Sequence, residues 1–251
     1  MNTNQNTFAE ASDSYVAARP QYPADLFRWI AGQCENDKMA WDCATGNGQA
    51  AIGLANYFDH VDATDISSEQ IGQALPHPRV RYAVANAEAS GLPGDAYDLV
   101  AVAQALHWFR FDQFWPEVRR VAKRNAFFCA WGYDWPECTH AVYLALSDMI
   151  RAIVKPYWAP NNRIIFAGYR SKDVGFPFER ITAPSFTIEV LWTMDQFIGY
   201  LTTWSAFKRS RADAGVRAAI DDIFQHARSL VPPGETNPIR MPLKVLAGRI
   251  V

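Results

Sequence analysis

The residues best suited to chemistry lie in WDCATGNG, positions 41–48. A carboxylate, Asp42, is followed four positions later by Gly46 and then by Gly48. Glycines at such a turn let a ligand approach the backbone closely. The run Gly46-x-Gly48-x-x-Ala51 also has the spacing of a dinucleotide turn. A pyrophosphate, however, wants a helix N-terminus and no anion beside it. Asp42 is such an anion, and it attracts an ammonium group instead. A second acid, Asp65 in DATDIS, can accept hydrogen bonds from both hydroxyls of a ribose, or serve as the negative charge at the start of a helix. His107-Trp108 is the third feature. His107 can act as a general base towards a hydroxyl, or stand neutral as a hydrogen-bonded pocket wall.

These residues need a scaffold that brings strand ends together. Residues 39–43, 60–64, 79–86, 97–105 and 125–133 read as strands. Helices fall between them, near 24–32, 49–58, 67–74 and 111–122, with Ser67 and Gln70 fitting a capping box. The near-continuous apolar run YDLVAVAQA suits a strand covered on both faces. Such alternation implies an α/β, Rossmann-like, mostly parallel sheet with helices on both faces and right-handed crossovers. Asp42, Asp65 and His107 then sit at the carboxyl ends of strands, where ligands bind in open α/β sheets.

The alternation ends near residue 133. A helix is expected over 137–154, a loop rich in Pro, Asn and aromatics over 155–177, and a strand pair or a long strand broken at Pro184 over 178–192. Helices follow near 194–207 and 213–229, and IRMPLKVLAGRI reads as one closing strand. The chain is read as one domain, 1–251. Its cofactor-binding half is 33–133, a cap-like helical and aromatic insertion covers 134–178, and 179–251 returns to the sheet.

The chain has 251 residues, 49% hydrophobic, with 24 basic against 26 acidic side chains. That balance argues against a nucleic-acid binder, which carries a basic excess. Cys34, Cys43, Cys129 and Cys138 show no metal-ligand spacing, so no metal is expected. MNTNQNTFAEASDSY lacks the pattern of a signal peptide, and no apolar run reaches the roughly 20 residues of a membrane helix. A cytoplasmic protein with neither membrane nor nucleic-acid partner is expected. The 14% aromatic share suits either a large core or an aromatic-lined pocket.

S-adenosylmethionine carries an ammonium, a sulfonium and a ribose but no phosphate, and so suits Asp42 better than NAD does, while Asp65 suits the ribose of either. Two other readings stay open: an NAD-dependent oxidoreductase using the Gly46–Ala51 turn, and a non-catalytic S-adenosylmethionine binder. The motifs together resemble the class I S-adenosylmethionine-dependent methyltransferases, and more narrowly the branch that includes trans-aconitate methyltransferase. The matching pieces are Tyr15-x-x-x-Arg-Pro with Tyr22-Pro23, Asp42-x-x-x-Gly46-x-Gly48, Asp65-Ile66-Ser67, Asn86-Ala87-Glu88, Gln104-Ala105-Leu106-His107-Trp108, Gly168-Tyr169, Phe176-Pro177-Phe178 and Thr203-Trp204-Ser205.

The resemblance implies a seven-stranded sheet and methyl transfer to a small acceptor, a carboxylic acid by the branch, with S-adenosylhomocysteine as product. It places Tyr15, Arg19, Asp42, Ala44, Gly46, Gly48, Asp65, Ile66, Asn86, Ala87 and Gln104 around the cofactor. Asp42 would meet the ammonium, Arg19 the carboxylate, Asp65 the ribose, and Ile66, Asn86 and the Ala87 N–H the adenine. Tyr22, His107, Trp108, Tyr133, Trp158, Arg170 and Trp204 would line the acceptor pocket, with His107 the candidate catalytic group. Ala44 departs from the family's glycine, and its methyl is tolerated if its φ is negative. Asn86 replaces an acid, and Lys123-Arg124-Asn125 replaces a Pro-Gly-Gly turn.

Overall fold

A computed structural model describes residues 20–251. The strands of the expected alternation are β1 (Met39–Cys43), β2 (His60–Asp65), β3 (Val80–Val84), β4 (Tyr97–Ala103) and β5 (Ala122–Gly132). Among them run α1 (Ala24–Gln33), α2 (Gln49–Leu54), α3 (Ser68–Gly72) and α4 (Phe111–Val121). Then come β6 (Glu137–Cys138), α5 (Ala141–Val154), α6 (Asn162–Phe166), α7 (Ser171–Val174), β7 (Glu179–Ile181), β8 (Thr187–Thr193), α8 (Met194–Thr202), α9 (Ser205–Ser210), α10 (Ala214–Ser229), β9 (Thr236–Pro242) and β10 (Lys244–Arg249).

Two compact units divide the chain. One holds Tyr22–Asp134, Asn161–Phe186 and Pro242–Val251. It carries a seven-stranded sheet in the order β3-β2-β1-β4-β5-β10-β7. Strands β1 to β5 pair in parallel, and β10 runs antiparallel to β5 and β7. This is the expected Rossmann-like sheet. The strand order reverses between β1 and β4, which opens a crevice at their carboxyl ends. β1 and β4 are buried almost throughout, as strands covered on both faces must be.

The aromatic residues of this unit go largely into its core. Trp115 of α4 packs edge-on against Phe128, Phe176 and Phe178, with ring centroids 5.3–5.6 Å apart. On the other face, Phe27 of α1 meets Trp131 of β5 at 6.1 Å. The Lys123-Arg124-Asn125 stretch is strand rather than turn. Asn125 takes a positive φ of 61° where the β4–β5 register shifts, a bulge that Asn tolerates.

The other unit holds Trp135–Pro160 and Thr187–Met241. It has a three-stranded sheet, β6-β9-β8, beside α5, α8, α9 and α10. Of the segment 134–178, residues 135–160 group with this unit and 161–178 with the sheet-bearing one. The stretch 155–177 is not all loop, because it contains α6 and α7. The helix expected from 137 starts at Ala141, where the His140 ring accepts from the Val142 N–H. The helix expected over 194–207 breaks at Thr203-Trp204, where Thr203 Oγ1 donates to the Tyr200 carbonyl at 2.7 Å. IRMPLKVLAGRI is two strands, not one. Pro242 has no N–H for a ladder, and β9 and β10 join different sheets on either side of Leu243. Among the described residues no helix is long and apolar enough to cross a membrane.

Candidate active site

At the end of β1 Asp42 is fully buried. The Thr45 hydroxyl donates to its Oδ2 at 2.5 Å. Its Oδ1 has no hydrogen-bond partner among the described residues. Burial pushes the carboxyl up to about 7, while the Thr45 hydroxyl and the Ala51 N–H pull it down. An acceptor held this way favours a cationic partner.

The turn after Asp42 is left-handed at three places: Ala44 at φ +57°, Gly46 at +59° and Gly48 at +88°. The negative φ needed to accommodate the Ala44 methyl without strain is not adopted. Only glycine fits at Gly48, since a Cβ there would lie 2.7 Å from Cε1 of the Tyr82 ring. Asp65, at the end of β2, ties this turn to the next helix. Its Oδ2 accepts from the Gly46 N–H at 2.9 Å and its Oδ1 from the Ser67 N–H at 2.8 Å. Ser67 in turn caps α3 through the Gln70 N–H. Ile66, between them, leaves 73% of its surface exposed beside this anchored carboxylate.

The loop after β3 folds back on itself. Asn86 Oδ1 accepts from the Glu88 N–H at 2.8 Å, and the Asn86 carbonyl accepts from the Ala89 N–H. Ala87 packs against the core. Two residues of α4 and its approach hold the loop down. Glu117 Oε1 accepts from both the N–H and the hydroxyl of Ser90, at 2.8 and 2.5 Å, and the Arg110 N–H donates to Glu88 at 2.9 Å. Arg120 pairs with Glu117 through two hydrogen bonds of 2.7 Å, the main reason its carboxyl is lowered to about 2.

Beyond β4, Gln104 takes φ +56°. Its N–H donates to the Trp131 carbonyl at 2.8 Å and its side-chain amide to the Tyr133 carbonyl at 3.2 Å. His107 follows in a short 3₁₀ turn, Leu106–Trp108, and is buried. Its Nδ1 lies 3.0 Å from the Tyr169 hydroxyl, and burial lowers its pKa to about 4. Trp108 stays 47% exposed beside it. Tyr22 stands edge-on to Trp131 at 5.6 Å and near Tyr133 at 6.4 Å.

Residues 41–130 match a family model described as a methyltransferase domain. A protein of Dictyostelium discoideum named as a methyltransferase is 31% identical over 204 residues, spanning 80% of this chain and 77% of the relative. One of Saccharomyces cerevisiae named as an S-adenosylmethionine-dependent methyltransferase is 23% identical, with 85% of each chain covered. A solved structure from Anaeromyxobacter dehalogenans, described as a type II methyltransferase, is 40% identical with a TM-score of 0.82, covering 93% of this chain and 98% of that one. The chain belongs to the class I S-adenosylmethionine-dependent methyltransferases. The dinucleotide reading of Gly46-x-Gly48-x-x-Ala51 gives way to that membership.

In this methyltransferase the sheet-bearing unit contains Tyr22, Asp42, Ala44, Gly46, Gly48, Asp65, Ile66, Asn86, Ala87, Gln104, His107, Trp108 and Tyr133. Tyr15 and Arg19 lie outside the described residues. Arg170 is in the same unit, but its guanidinium is engaged by Asp173 through hydrogen bonds of 2.5 and 3.1 Å at the surface. Trp158 and Trp204 belong to the other unit, where both pack against Trp135 at 5.7 and 4.9 Å. Sequence reasoning missed Thr45, Tyr82 and Glu117, and it named Tyr169 within the Gly168-Tyr169 piece without giving it a role. Thr45 lay inside the motif and was legible as a hydroxyl three residues from Asp42. The other three meet the site through long-range packing that no local spacing announces.

Proposed function

We propose that this methyltransferase moves a methyl group from S-adenosylmethionine to an oxygen of a small carboxylic acid, giving a methyl ester and S-adenosylhomocysteine. The observation that carries the cofactor assignment is the partnerless, buried Oδ1 of Asp42 beside a left-handed glycine turn. An ammonium satisfies that oxygen, whereas a phosphate would be repelled by it. Asp65, already oriented by two backbone N–H groups, keeps lone pairs for ribose hydroxyls. Ile66 offers an apolar face to adenine. Asn86, the Ala87 N–H and the Gln104 backbone contribute polar edges, and Ala44, Gly46 and Gly48 supply the surface of the turn. Tyr15 and Arg19 complete the set, Arg19 through the cofactor's carboxylate.

The cofactor supplies an electrophilic methyl on a sulfonium; the chain's own work is to bind, orient and exclude water. His107 supports the acceptor assignment. A buried imidazole with a lowered pKa is a weak base at neutral pH. A carboxylate needs no base, because it is already ionised. Tyr22, Trp108 and Tyr133 supply apolar walls, with Arg170 kept as a further candidate for acceptor contacts. A small acceptor fits the near-balanced charge of 24 basic and 26 acidic residues. Four free thiols suit the cytoplasm.

The test uses S-adenosylmethionine labelled in its methyl group, offered with a panel of small carboxylic acids and phenols. A methyl ester releases labelled methanol in alkali. Label transferred only to phenols, in alkali-stable products, would sink the carboxylic-acid assignment.

A further inference from the structure

Tyr169 follows Gly168 at the end of α6, and both residues are left-handed, at φ +51° and +81°. A tyrosine in that region is strained, and the strain persists only where its surroundings hold it. They do so here. The Gly168 N–H donates to the Ile165 carbonyl and the Tyr169 N–H to the Ile164 carbonyl, at 2.8 and 3.1 Å. The ring lies so close over the last residue of β5 that a Cβ at Gly132 would be 3.2 Å from its Cε2. The side chain is buried, and its hydroxyl meets His107 Nδ1 at 3.0 Å, stacked at a centroid distance of 6.1 Å.

The proton on that hydrogen bond can be placed by counting groups left unmade. Tyr169 Oη has no other hydrogen-bond partner among the described residues, and His107 Nε2 has none. If Nδ1–H donated to Oη, the phenol hydrogen would lack an acceptor and Nε2 would lack a donor. If the phenol donates to Nδ1, only Nε2–H is left without a partner. Nε2 is not fully enclosed, so water can meet Nε2–H, whereas the phenol of Tyr169 is buried and its hydrogen, left unmade, would bear the full desolvation cost; the second arrangement is favoured.

We infer that Tyr169 is a positioning residue: its hydroxyl donates to Nδ1 and fixes His107 as the neutral Nε2–H tautomer, which offers the methyl acceptor a hydrogen-bond donor and not a base. The inference deepens the proposed function and rests on it for the placing of the acceptor. An Nε2–H donor suits an oxygen that is already anionic, and it cannot accept a proton from a hydroxyl. Trp108, 4.9 Å from the imidazole, covers a second side of the ring.

The tautomer is read from two-bond nitrogen–proton correlations on the full chain carrying nitrogen-15 histidine. The five histidines are sorted by the signal lost in His107→Gln. Near neutral pH the wild-type His107 should show the Nε2–H pattern alone, and Tyr169→Phe should lose that purity or reverse it. An Nδ1–H pattern in the wild type would overturn the inference, as would an Nε2–H pattern unchanged in a folded Tyr169→Phe. If that variant fails to fold, the wild-type spectrum still decides. Thermal stabilisation of the same sample by S-adenosylhomocysteine reports on the cofactor site separately, so the two assignments fail independently.

Discussion

Ala44 holds a backbone conformation that costs an L-residue about 1–2 kcal/mol, because its Cβ crowds the following carbonyl. Ala44→Gly should therefore stabilise the protein by about 1 kcal/mol or less, once the greater unfolded-state freedom of glycine is subtracted. A raised denaturation midpoint at unchanged slope is the expected result, and a lowered one would mean that the methyl group packs favourably. Asp42 and His107 make a second, paired prediction. The folded pKa of Asp42 is raised from 3.8 to about 7. Its contribution to stability is fully present below 3.8 and is lost as pH rises through about 7. The folded pKa of His107 is lowered from 6.5 to about 4. Its contribution is present above 6.5 and is lost as pH falls through about 4. Each is worth at most on the order of 3–4 kcal/mol, with opposite slopes that largely cancel in the wild type. Relative to the wild type, Asp42→Asn should gain stability as pH rises between about 4 and 6.5, and His107→Gln should lose it over the same span. Difference curves of the same sign would refute the pairing.

At the scale of elements, the loop after β3 has little structure of its own and borrows its order from α4 through Glu117 and Ser90. Glu117→Ala leaves the Ser90 N–H unmet in a buried place, a cost of about 1–3 kcal/mol. Amide exchange over 86–92 should quicken while β1 and β4 keep their protection, and affinity for S-adenosylhomocysteine should drop. Unchanged exchange in that loop would show that Glu117 does not anchor it. The five parallel strands were legible in sequence because each is a short apolar run ending at a turn signal. The last two strands were not told apart, because they differ in burial within the fold. Residues 236–242 alternate buried and exposed, as a strand with one wet face does, whereas 246–248 are buried in succession. The break in the helix at Thr203-Trp204 had no such cue, since neither residue is a strong helix breaker.

For the whole molecule, the sequence conveyed the sheet and most of its strand-end residues, because the site is built from short motifs at the ends of consecutive strands. It did not convey how the chain is shared between two units. That division depends on which distant segments pack together, as residues 161–186 do with the sheet. The aromatic share was equally ambiguous in sequence. Much of it belongs to the core around Trp115, and a separate group, Trp135, Trp158 and Trp204, packs in the other unit. The most direct test of Asp42 as the partner of the cofactor's ammonium is the affinity for S-adenosylhomocysteine, titrated against pH in the wild type and in Asp42→Asn. A protonated Asp42 no longer attracts a cation. The wild-type affinity should therefore fall by up to about tenfold per pH unit below a pH of about 7, and Asp42→Asn should bind weakly with no such dependence. A wild-type affinity that stays flat across this range and is matched by the variant would contradict the assignment.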